Sequence, residues 1–243
     1  MMLLIDLGNT RLKWAWWRDR RLQDGAAVLH RGRELGTELA QAQAWRNLPK
    51  PVAIHVASVA RPELRDQLAA ALAARWSCPV HFAVSQAEQA GVHNGYHDPA
   101  QLGVDRWLAM IGAWRRVHGA VCVVDCGSAL TLDILDHQGR HLGGVIAPGL
   151  RLMGDALTRG TSLPALGGTV TATLGRDTQT AMAAGTLQAL QGLVDRCRRQ
   201  APADAPLLLT GGDAGVIAAG IDGPHELIPD LVLEGLGGTL DGV

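Results

Sequence analysis

Two short segments of the chain share one pattern, Ile5-Asp6-Leu7-Gly8-Asn9-Thr10 and Val124-Asp125-Cys126-Gly127-Ser128. Each follows a short apolar run, and such runs bounded by turn residues are typical of buried strands. In each, an aspartate precedes a glycine turn, and an amide or hydroxyl side chain comes next. We call residues 6–10 the first glycine loop and residues 125–128 the second glycine loop. Their places at the start and the middle of a 243-residue chain predict two similar halves, residues 1–118 and 119–243.

The residues of the two loops suit a phosphate chain. Glycine lets the backbone approach a ligand closely, and the N–H groups of such a turn form an anion-binding concavity. Asn9, Thr10 and Ser128 add neutral donors. An aspartate beside phosphate makes sense if a divalent metal lies between them, because Mg²⁺ accepts one or two carboxylates together with waters and phosphate oxygens. We therefore expect Asp6 on the magnesium side of a nucleotide site.

A third glycine loop, Thr210-Gly211-Gly212-Asp213, follows the apolar run Leu207–Leu209. It reads either as a helix N-cap or, in a two-lobed ATPase, as the adenosine side of the nucleotide site. The sequence has no G-x-x-x-x-G-K-[ST] loop, and no G-x-G-x-x-G opens a helix after its first strand. The loops are therefore neither a P-loop of the Walker A type nor the glycine-rich loop of a Rossmann dinucleotide-binding fold.

Hydrophobic periodicity predicts alternating strands and helices. Residues 121–146 predict a three-stranded antiparallel meander, because Leu130, Leu132 and Ile134 alternate with polar residues before a turn at residues 137–140. Further strands are predicted at residues 2–5, 11–17, 52–57, 80–84 and 207–209, with a hairpin tip at residues 18–21. Helices are predicted at residues 33–46, 62–76, 99–118 and 175–198, and after Gly149 and Asp213; one more short strand and a helical tail close the chain.

The overall composition is that of a globular protein, with 47% apolar and 19% charged residues. A formal net charge of -1 gives no indication of a nucleic acid or an anionic membrane as partner. The apolar start of the chain is short for a signal peptide, and no stretch approaches the roughly 20 apolar residues of a membrane span. The four cysteines form no C-x-x-C pair, which argues against a zinc site. We expect them to be reduced, partly buried thiols. We expect a soluble, cytoplasmic protein.

A carboxylate and a guanidinium stand together in Gly103-Val104-Asp105-Arg106, at the start of the helix predicted at residues 99–118. Asp105 has two interpretations. It is either a surface carboxylate stabilised by the helix dipole or the base that accepts a proton from a substrate hydroxyl, as in many kinases. In the second case Arg106 could bind a substrate carboxylate through two parallel hydrogen bonds.

The ordered set of motifs resembles the type III pantothenate kinases, whose close relatives are also called Bvg accessory factor homologues. The resemblance rests on residues 6–10, on Gly103-Val104-Asp105-Arg106-Trp107 and on residues 124–133, 143–149, 175–178 and 231–236. It runs along nearly the whole chain. It implies an α/β fold of two ribonuclease H-like lobes in the actin-like ATPase superfamily, with mixed sheets flanked by helices. It also implies a homodimer that phosphorylates pantothenate with ATP, the first step of coenzyme A synthesis.

The resemblance also implies a role for individual positions. Asp105 looks like the general base on the pantothenate hydroxyl, and a threonine that reaches pantothenate near the dimer interface is matched by Thr178, with Thr180 as the alternative. Asp125 resembles the ligand of a monovalent cation, potassium or ammonium, and Mg²⁺ would accompany ATP. Ser128 stands where many members have threonine. The pantothenate pocket would be lined by Tyr96, Gly103, Val104, Asp105 and Arg106, and ATP would be held by Asp6, Leu7, Gly8, Asn9, Thr10, Lys13 and Ser128.

Two other functions remain open from the sequence. One is another phosphotransferase or a phosphatase of the same superfamily, which would need both glycine loops but not the Asp105–Arg106 pair. The other is a nucleotide-binding regulatory protein, as the accessory-factor name suggests. A protein that only binds has no need of a base at Asp105, so the sequence favours the kinase.

Overall fold

The computed structural model describes residues 1–31, 34–165 and 173–241. The chain forms two compact units. Unit 1 comprises the described residues of Met1–Arg116 and Leu231–Val243, and unit 2 those of Val117–Asp230. The predicted division into lobes 1–118 and 119–243 stays a prediction. No helix in the described ranges is both long and apolar enough to cross a membrane.

Unit 1 is built on a five-stranded sheet. Its strands are β1 (Met2–Leu7), β2 (Arg11–Arg18), β3 (Arg21–Leu29), β4 (Ala53–Ser58) and β5 (Val80–Phe82), in the order β3-β2-β1-β4-β5. The first three strands form an antiparallel meander, whereas β4 runs parallel to β1 and β5 parallel to β4. A separate hairpin joins β6 (Glu88–Gln89) to β7 (Val92–His93).

Unit 2 contains a five-stranded sheet with the same topology. Its strands are β8 (Val121–Cys126), β9 (Ala129–Leu135), β10 (His141–Pro148), β11 (Leu207–Thr210) and β12 (Glu226–Leu227), in the order β10-β9-β8-β11-β12. The strand directions also match, since β8, β9 and β10 are antiparallel while β11 and β12 run parallel to β8. Each half therefore folds as the same mixed ribonuclease H-like sheet. The first and second glycine loops each join the first strand of their sheet to the second.

Helices flank both sheets. In unit 1 they are α1 (Leu35–Gln41), α2 (Gln43–Arg46), α3 (Pro62–Arg75), α4 (Val104–Val117, whose last residue falls in unit 2) and, from the end of the chain, α8 (Leu231–Gly238). In unit 2 they are α5 (Leu150–Gly160), α6 (Thr178–Arg198) and α7 (Ala214–Ala218). The α4 and α8 backbones meet at two glycines, because a Cβ on Gly112 would collide with the Leu231 carbonyl and one on Gly235 with the Leu108 carbonyl.

Each unit has its own apolar core. In unit 1, Trp14, Trp45 and Trp76 pack in sequence, with ring centroids 5.2 Å and 5.6 Å apart, among the buried leucines of α1 and α3. In unit 2 the core contains three of the four cysteines, and all four are free thiols. Burial raises the pKa of the Cys122 thiol to about 12. The free thiols agree with the prediction of reduced, partly buried cysteines, and three of the four are buried.

The structure departs from the predicted elements at a few places. The helix predicted at 33–46 is two helices, because Ala42 has an extended backbone at ψ 108°; its predicted first residue, Arg33, lies outside the described residues. The helix predicted at 99–118 begins as a short 3-10 turn at Pro99–Gln101, and α4 starts only at Val104. Strand β3 was not predicted from the sequence. The closing run Leu231-Val232-Leu233, where the last short strand was expected, is helical.

Candidate active site

The first glycine loop is held from both of its ends. The Gly8 amide donates to the Arg11 carbonyl at 3.0 Å, which closes the turn between β1 and β2. The Gly8 carbonyl accepts a hydrogen bond from Nε2 of His30 at 3.1 Å. The amides of His30 and Arg31 both donate to the Thr10 carbonyl at 3.0 Å. The loop therefore has a fixed backbone conformation before any ligand arrives.

His30 is the residue at this loop that sequence reasoning missed. Its side chain is fully buried at the end of β3, and burial lowers its pKa, so the neutral ring is favoured. Because a carbonyl can only accept, the neutral ring carries its proton on Nε2. No sequence motif marks it, because its position follows from the pairing of β2 with β3: Arg11 pairs with Leu29, which places His30 beside Thr10.

Asp6 and Lys13 face each other across the first hairpin. They are register partners on β1 and β2, and both side chains are partly exposed. Opposite charges at such positions attract each other, and the pair presents both an anionic and a cationic group beside the loop. This arrangement suits a site where Mg²⁺ and phosphate bind together.

The second glycine loop is supported by the start of α5. The Gly127 amide donates to the Ala129 carbonyl at 3.0 Å, and the Ser128 carbonyl accepts from the Gly149 amide at 3.0 Å. A Cβ atom on Gly149 would collide with the carbonyls of Gly127 and Ser128. Only glycine therefore allows this close approach, which explains the physical need for the Pro148-Gly149 turn.

The third glycine loop packs against Asp125. Strands β11 and β8 are parallel, with Thr210 beside Asp125 in the register, and the Asp213 amide donates to the Cys126 carbonyl at 3.0 Å. Gly211 has φ +97°, and a Cβ atom there would lie 2.5 Å from both Oδ1 of Asp125 and the Cys126 carbonyl oxygen. A carboxylate oxygen and a carbonyl oxygen are thus gathered around one glycine, and oxygen ligands of this kind suit a hard cation.

A cavity of about 470 Å³ lies in unit 2 beside the third glycine loop. It is lined by residues of α5 and α7 together with Asp213 and Ala165; the charged ones among them are Arg151, Asp155, Arg159 and Asp213. Arg151 donates to Asp155 at 2.9 Å one turn further along α5. The size of this cavity suits a small organic ligand.

Asp105 occupies the first turn of α4. Its Oδ1 accepts from the Arg106 amide at 2.7 Å, and a Cβ atom on Gly103 would lie 2.6 Å from the same oxygen. The carboxylate is therefore folded back over the helix start, where the N–H groups favour negative charge. Glycine at position 103 leaves the space that this conformation needs.

Arg106 is joined to Tyr96, as the predicted pocket requires. Its Nη1 donates to the Tyr96 hydroxyl at 2.7 Å, and the guanidinium carbon lies 5.5 Å from the centre of the tyrosine ring. Arg106 is only 4% exposed. Because α4 supplies Asp105 as well, the structure brings three predicted pantothenate residues, Tyr96, Asp105 and Arg106, to the start of one helix.

The two threonines at the start of α6 differ in their partners. The Thr180 amide donates to Oδ1 of Asp177 at 2.9 Å, and the Thr180 hydroxyl is within 3.4 Å of the Asp177 amide, which completes a capping box. These hydrogen bonds lower the pKa of the Asp177 carboxyl. Thr178 is exposed and is the first residue of the helix. Capping thus accounts for Thr180, whereas Thr178 has no part in the capping box.

Metal binding by protein side chains alone has no support in the part of the chain that the structure describes. No group of three or more His, Cys, Asp or Glu residues there is arranged to hold a metal ion. Mg²⁺ does not need such a group, because it keeps waters and phosphate oxygens as ligands. A single carboxylate, such as that of Asp6 or Asp125, could therefore still supply one ligand to an ion that is also bound by phosphate oxygens.

The paired sheets and their glycine loops define an actin-like ATPase or sugar kinase fold. Solved structures agree at low sequence identity. A Campylobacter jejuni protein classed with the Baf family of transcriptional activators matches with TM-score 0.62 and 20% identity, over 99% of this chain and 98% of its own. The ADPNP-bound activator of 2-hydroxyisocaproyl-CoA dehydratase from Clostridium difficile matches with TM-score 0.55 and 12% identity, over 98% and 92%. The predicted fold class is confirmed.

Within this fold the chain belongs to the type III pantothenate kinase family, whose profile matches residues 2–200. The type III pantothenate kinase of Halorhodospira halophila is 42% identical, with 97% of this chain and 96% of that protein aligned. The enzyme of the same name from Chromohalobacter salexigens is 40% identical, over 97% and 86%. The predicted family is therefore confirmed.

Proposed function

We propose that this chain is a pantothenate kinase that transfers the γ-phosphoryl group of ATP to pantothenate, forming 4′-phosphopantothenate for coenzyme A synthesis. The observation that carries the proposal is the hydrogen bond between Arg106 and Tyr96 beside Asp105. It supplies a cation, a phenol and a carboxylate at one helix start. Pantothenate has the matching groups, a carboxylate, polar amide atoms and a primary hydroxyl.

In the proposed reaction, Asp105 accepts the proton of the pantothenate hydroxyl. The hydroxyl oxygen forms a bond to the γ-phosphorus as the bond from that phosphorus to the β,γ-bridging oxygen breaks, and ADP leaves. A positioned base of this kind contributes about 10²–10⁴-fold in rate. The Arg106 amide holds Oδ1 of Asp105, so the carboxylate does not have to be ordered when the substrate arrives.

The glycine loops and their flanking residues would hold the phosphates. The backbone N–H groups of Asn9 and Thr10, the Lys13 ammonium and the Ser128 hydroxyl are the proposed donors. Leu7 and Gly8 would shape the loop around the phosphates, since the Gly8 amide closes the turn on Arg11. Asp6 would hold Mg²⁺ with phosphate oxygens and waters, and Asp125 would hold a monovalent cation, potassium or ammonium. These ions supply positive charge that offsets the charge of the triphosphate.

Gly103 and Val104 would line the pantothenate pocket with Tyr96, and Thr178 would add a hydroxyl. The capping box at Thr180 favours Thr178 for this role. The cavity beside the third glycine loop is the proposed place of the adenosine group, as the position of Thr210–Asp213 suggests.

The family also leads us to propose a cytoplasmic homodimer that works with neither nucleic acid nor membrane, and to keep residues 1–118 and 119–243 as its functional lobes. Light scattering at micromolar protein tests the oligomer, and a monomer would contradict it.

The direct test of the function is an assay of the purified protein with ATP, Mg²⁺ and pantothenate, with and without K⁺. Formation of phosphopantothenate that depends on K⁺ is expected. ATP binding without phosphopantothenate under any condition would reject the kinase and favour the regulatory alternative. Transfer to a different small hydroxyl compound would favour another phosphotransferase of the superfamily.

A further inference from the structure

The segment that carries Tyr96 closes on itself. Oγ of Ser85 donates to the Leu102 carbonyl at 2.8 Å, which joins the two ends of the segment. Inside it, the β6–β7 hairpin packs on α4, where Nε1 of Trp107 donates to Gln89 at 3.3 Å. The segment thus forms a compact loop from Ser85 to Leu102, and Tyr96 projects from it to Arg106.

Asn94 is the point where this loop is tied together. Its side-chain nitrogen donates to two carbonyls, that of Gln86 at 3.1 Å and that of Pro99 at 3.2 Å. Its side-chain oxygen accepts from the Tyr96 amide at 3.0 Å, and its own amide donates to the Ala87 carbonyl at 2.9 Å. One side chain therefore links the beginning of the loop, its end and the backbone of Tyr96.

These bonds define where the tyrosine hydroxyl can lie. The Asn94 oxygen fixes the Tyr96 amide, and the two carbonyl contacts fix Asn94 in turn. Arg106 is buried and attached to α4, so its guanidinium cannot follow a displaced hydroxyl over a long distance. A shift of the Tyr96 backbone would therefore break or lengthen the 2.7 Å contact to Arg106.

We propose that Asn94 is a positioning residue for the substrate site, which acts by placing the Tyr96 hydroxyl against Arg106. The proposal rests on the proposed function for its kinetic consequence, since Tyr96 and Arg106 are the residues expected to bind pantothenate. Its structural part, the dependence of the Tyr96 environment on Asn94, stands on the hydrogen bonds alone.

Two substitutions separate the contacts of Asn94. Asn94→Asp keeps the side-chain size and the oxygen that accepts from Tyr96, but it replaces the donor to two carbonyls by an acceptor, which repels them. Asn94→Ala removes all three side-chain bonds. Gln101→Ala is the matched control, because Gln101 lies in the same loop and its side-chain nitrogen donates to the Asp98 carboxylate, at 3.2 Å.

Steady-state kinetics gives the first reading. Both Asn94 variants should raise the KM for pantothenate by up to about tenfold, the scale of a lost intramolecular hydrogen bond, with little change in the KM for ATP. Gln101→Ala should leave both constants near wild type. In a Tyr96→Phe background the hydroxyl that Asn94 positions is already absent. Asn94→Asp should therefore add almost nothing to the KM for pantothenate, because the effects of coupled residues are not additive.

The second measurement is spectroscopic and does not depend on enzymatic activity. The chain has a single tyrosine, so incorporation of 3-fluorotyrosine gives one fluorine resonance, from Tyr96. That resonance should move in both Asn94 variants and in Arg106→Lys, and stay in place in Gln101→Ala. If the wild-type protein forms no phosphopantothenate, the proposed function fails while this spectrum still tests the link between Asn94 and Tyr96.

An unmoved resonance in both Asn94 variants would overturn the proposal. So would equal increases in the KM values for pantothenate and ATP, because general unfolding predicts that result. A full effect of Asn94→Asp in the Tyr96→Phe background would also overturn it, because Asn94 would then act by another route.

Discussion

Nε2 of His30 donates to the carbonyl oxygen of Gly8 at 3.1 Å and so ties the end of β3 to the first glycine loop. The ring is completely buried, and the backbone amides of His30 and Arg31 both donate to the Thr10 carbonyl. The conformation of the proposed phosphate loop therefore depends on a residue some distance away in the sequence.

His30→Ala should weaken the protein in two ways. The Gly8 carbonyl would lose its partner and a cavity would form, so the free energy of unfolding should fall by about 1–3 kcal/mol. The KM for ATP should rise more than the KM for pantothenate. Urea unfolding and steady-state kinetics check this, with the exposed His225→Ala as control; equal KM values in His30→Ala and wild type would contradict the proposed bracing of the loop.

Gly211→Ala should damage the second unit at Asp125. Its φ of +97° and the predicted 2.5 Å approach of a Cβ atom to Oδ1 of Asp125 make the substitution costly, by about 1–3 kcal/mol from the backbone conformation alone. The K⁺ concentration needed for half-maximal activity should also rise.

Gly215→Ala supplies the control for that experiment, because a Cβ atom at this helical position meets nothing within 4 Å. It should be neutral or stabilising by about 0.5–1 kcal/mol. Thermal unfolding of both variants checks the contrast. Equal stabilities would show that the third glycine loop does not need glycine beside Asp125.

Substitutions of Thr178 and Thr180, at the start of α6, should separate an effect on substrate binding from an effect on stability. Thr178→Val should raise the KM for pantothenate and leave the melting temperature almost unchanged. Thr180→Ala should lower the melting temperature, because it removes one half of the capping box, with a smaller effect on that KM. The reverse pattern would assign the substrate contact to Thr180.

The thiols should differ sharply in reactivity. Cys122, Cys126 and Cys197 are buried, Cys78 is partly exposed, and burial raises the pKa of Cys126 as well as that of Cys122. Because the thiolate is the reactive form, a thiol reagent at pH 8 should modify Cys78 in the native protein and all four cysteines in denaturant. Rapid native modification of Cys122 would contradict the described core.

The fold was largely predictable from sequence because its signals are local. A short apolar run followed by an aspartate–glycine turn identified the start of β1–β2 and of β8–β9, and the alternation of Leu130, Leu132 and Ile134 identified β9. Strand β3 was not predicted because none of its residues is fully buried. Ala26 and Val28 contact the core, but their small or partly buried side chains give only a weak hydrophobic pattern. The end of α1 before Ala42 was not predicted, because no glycine or proline marks it in the sequence.

The candidate site was predictable only in part. Asp105 and Arg106 are neighbours in sequence, but their link to Tyr96 depends on the path of the whole loop from Ser85 to Leu102. Neither His30 nor Asn94 belongs to a recognisable sequence motif. Each bonds backbone atoms that come within reach only after the chain has folded. The close contact of Gly149 with the second loop likewise depends on β10 returning beside β9.

Asp105 is the proposed base for phosphoryl transfer to pantothenate, and the rate of phosphopantothenate formation by Asp105→Asn tests this role most directly. With ATP, Mg²⁺ and K⁺ at saturation, kcat should fall by about 10²–10⁴-fold, while ATP binding persists and the exposed Asp66→Asn control retains the wild-type rate. A kcat for Asp105→Asn equal to that of wild type would contradict the account.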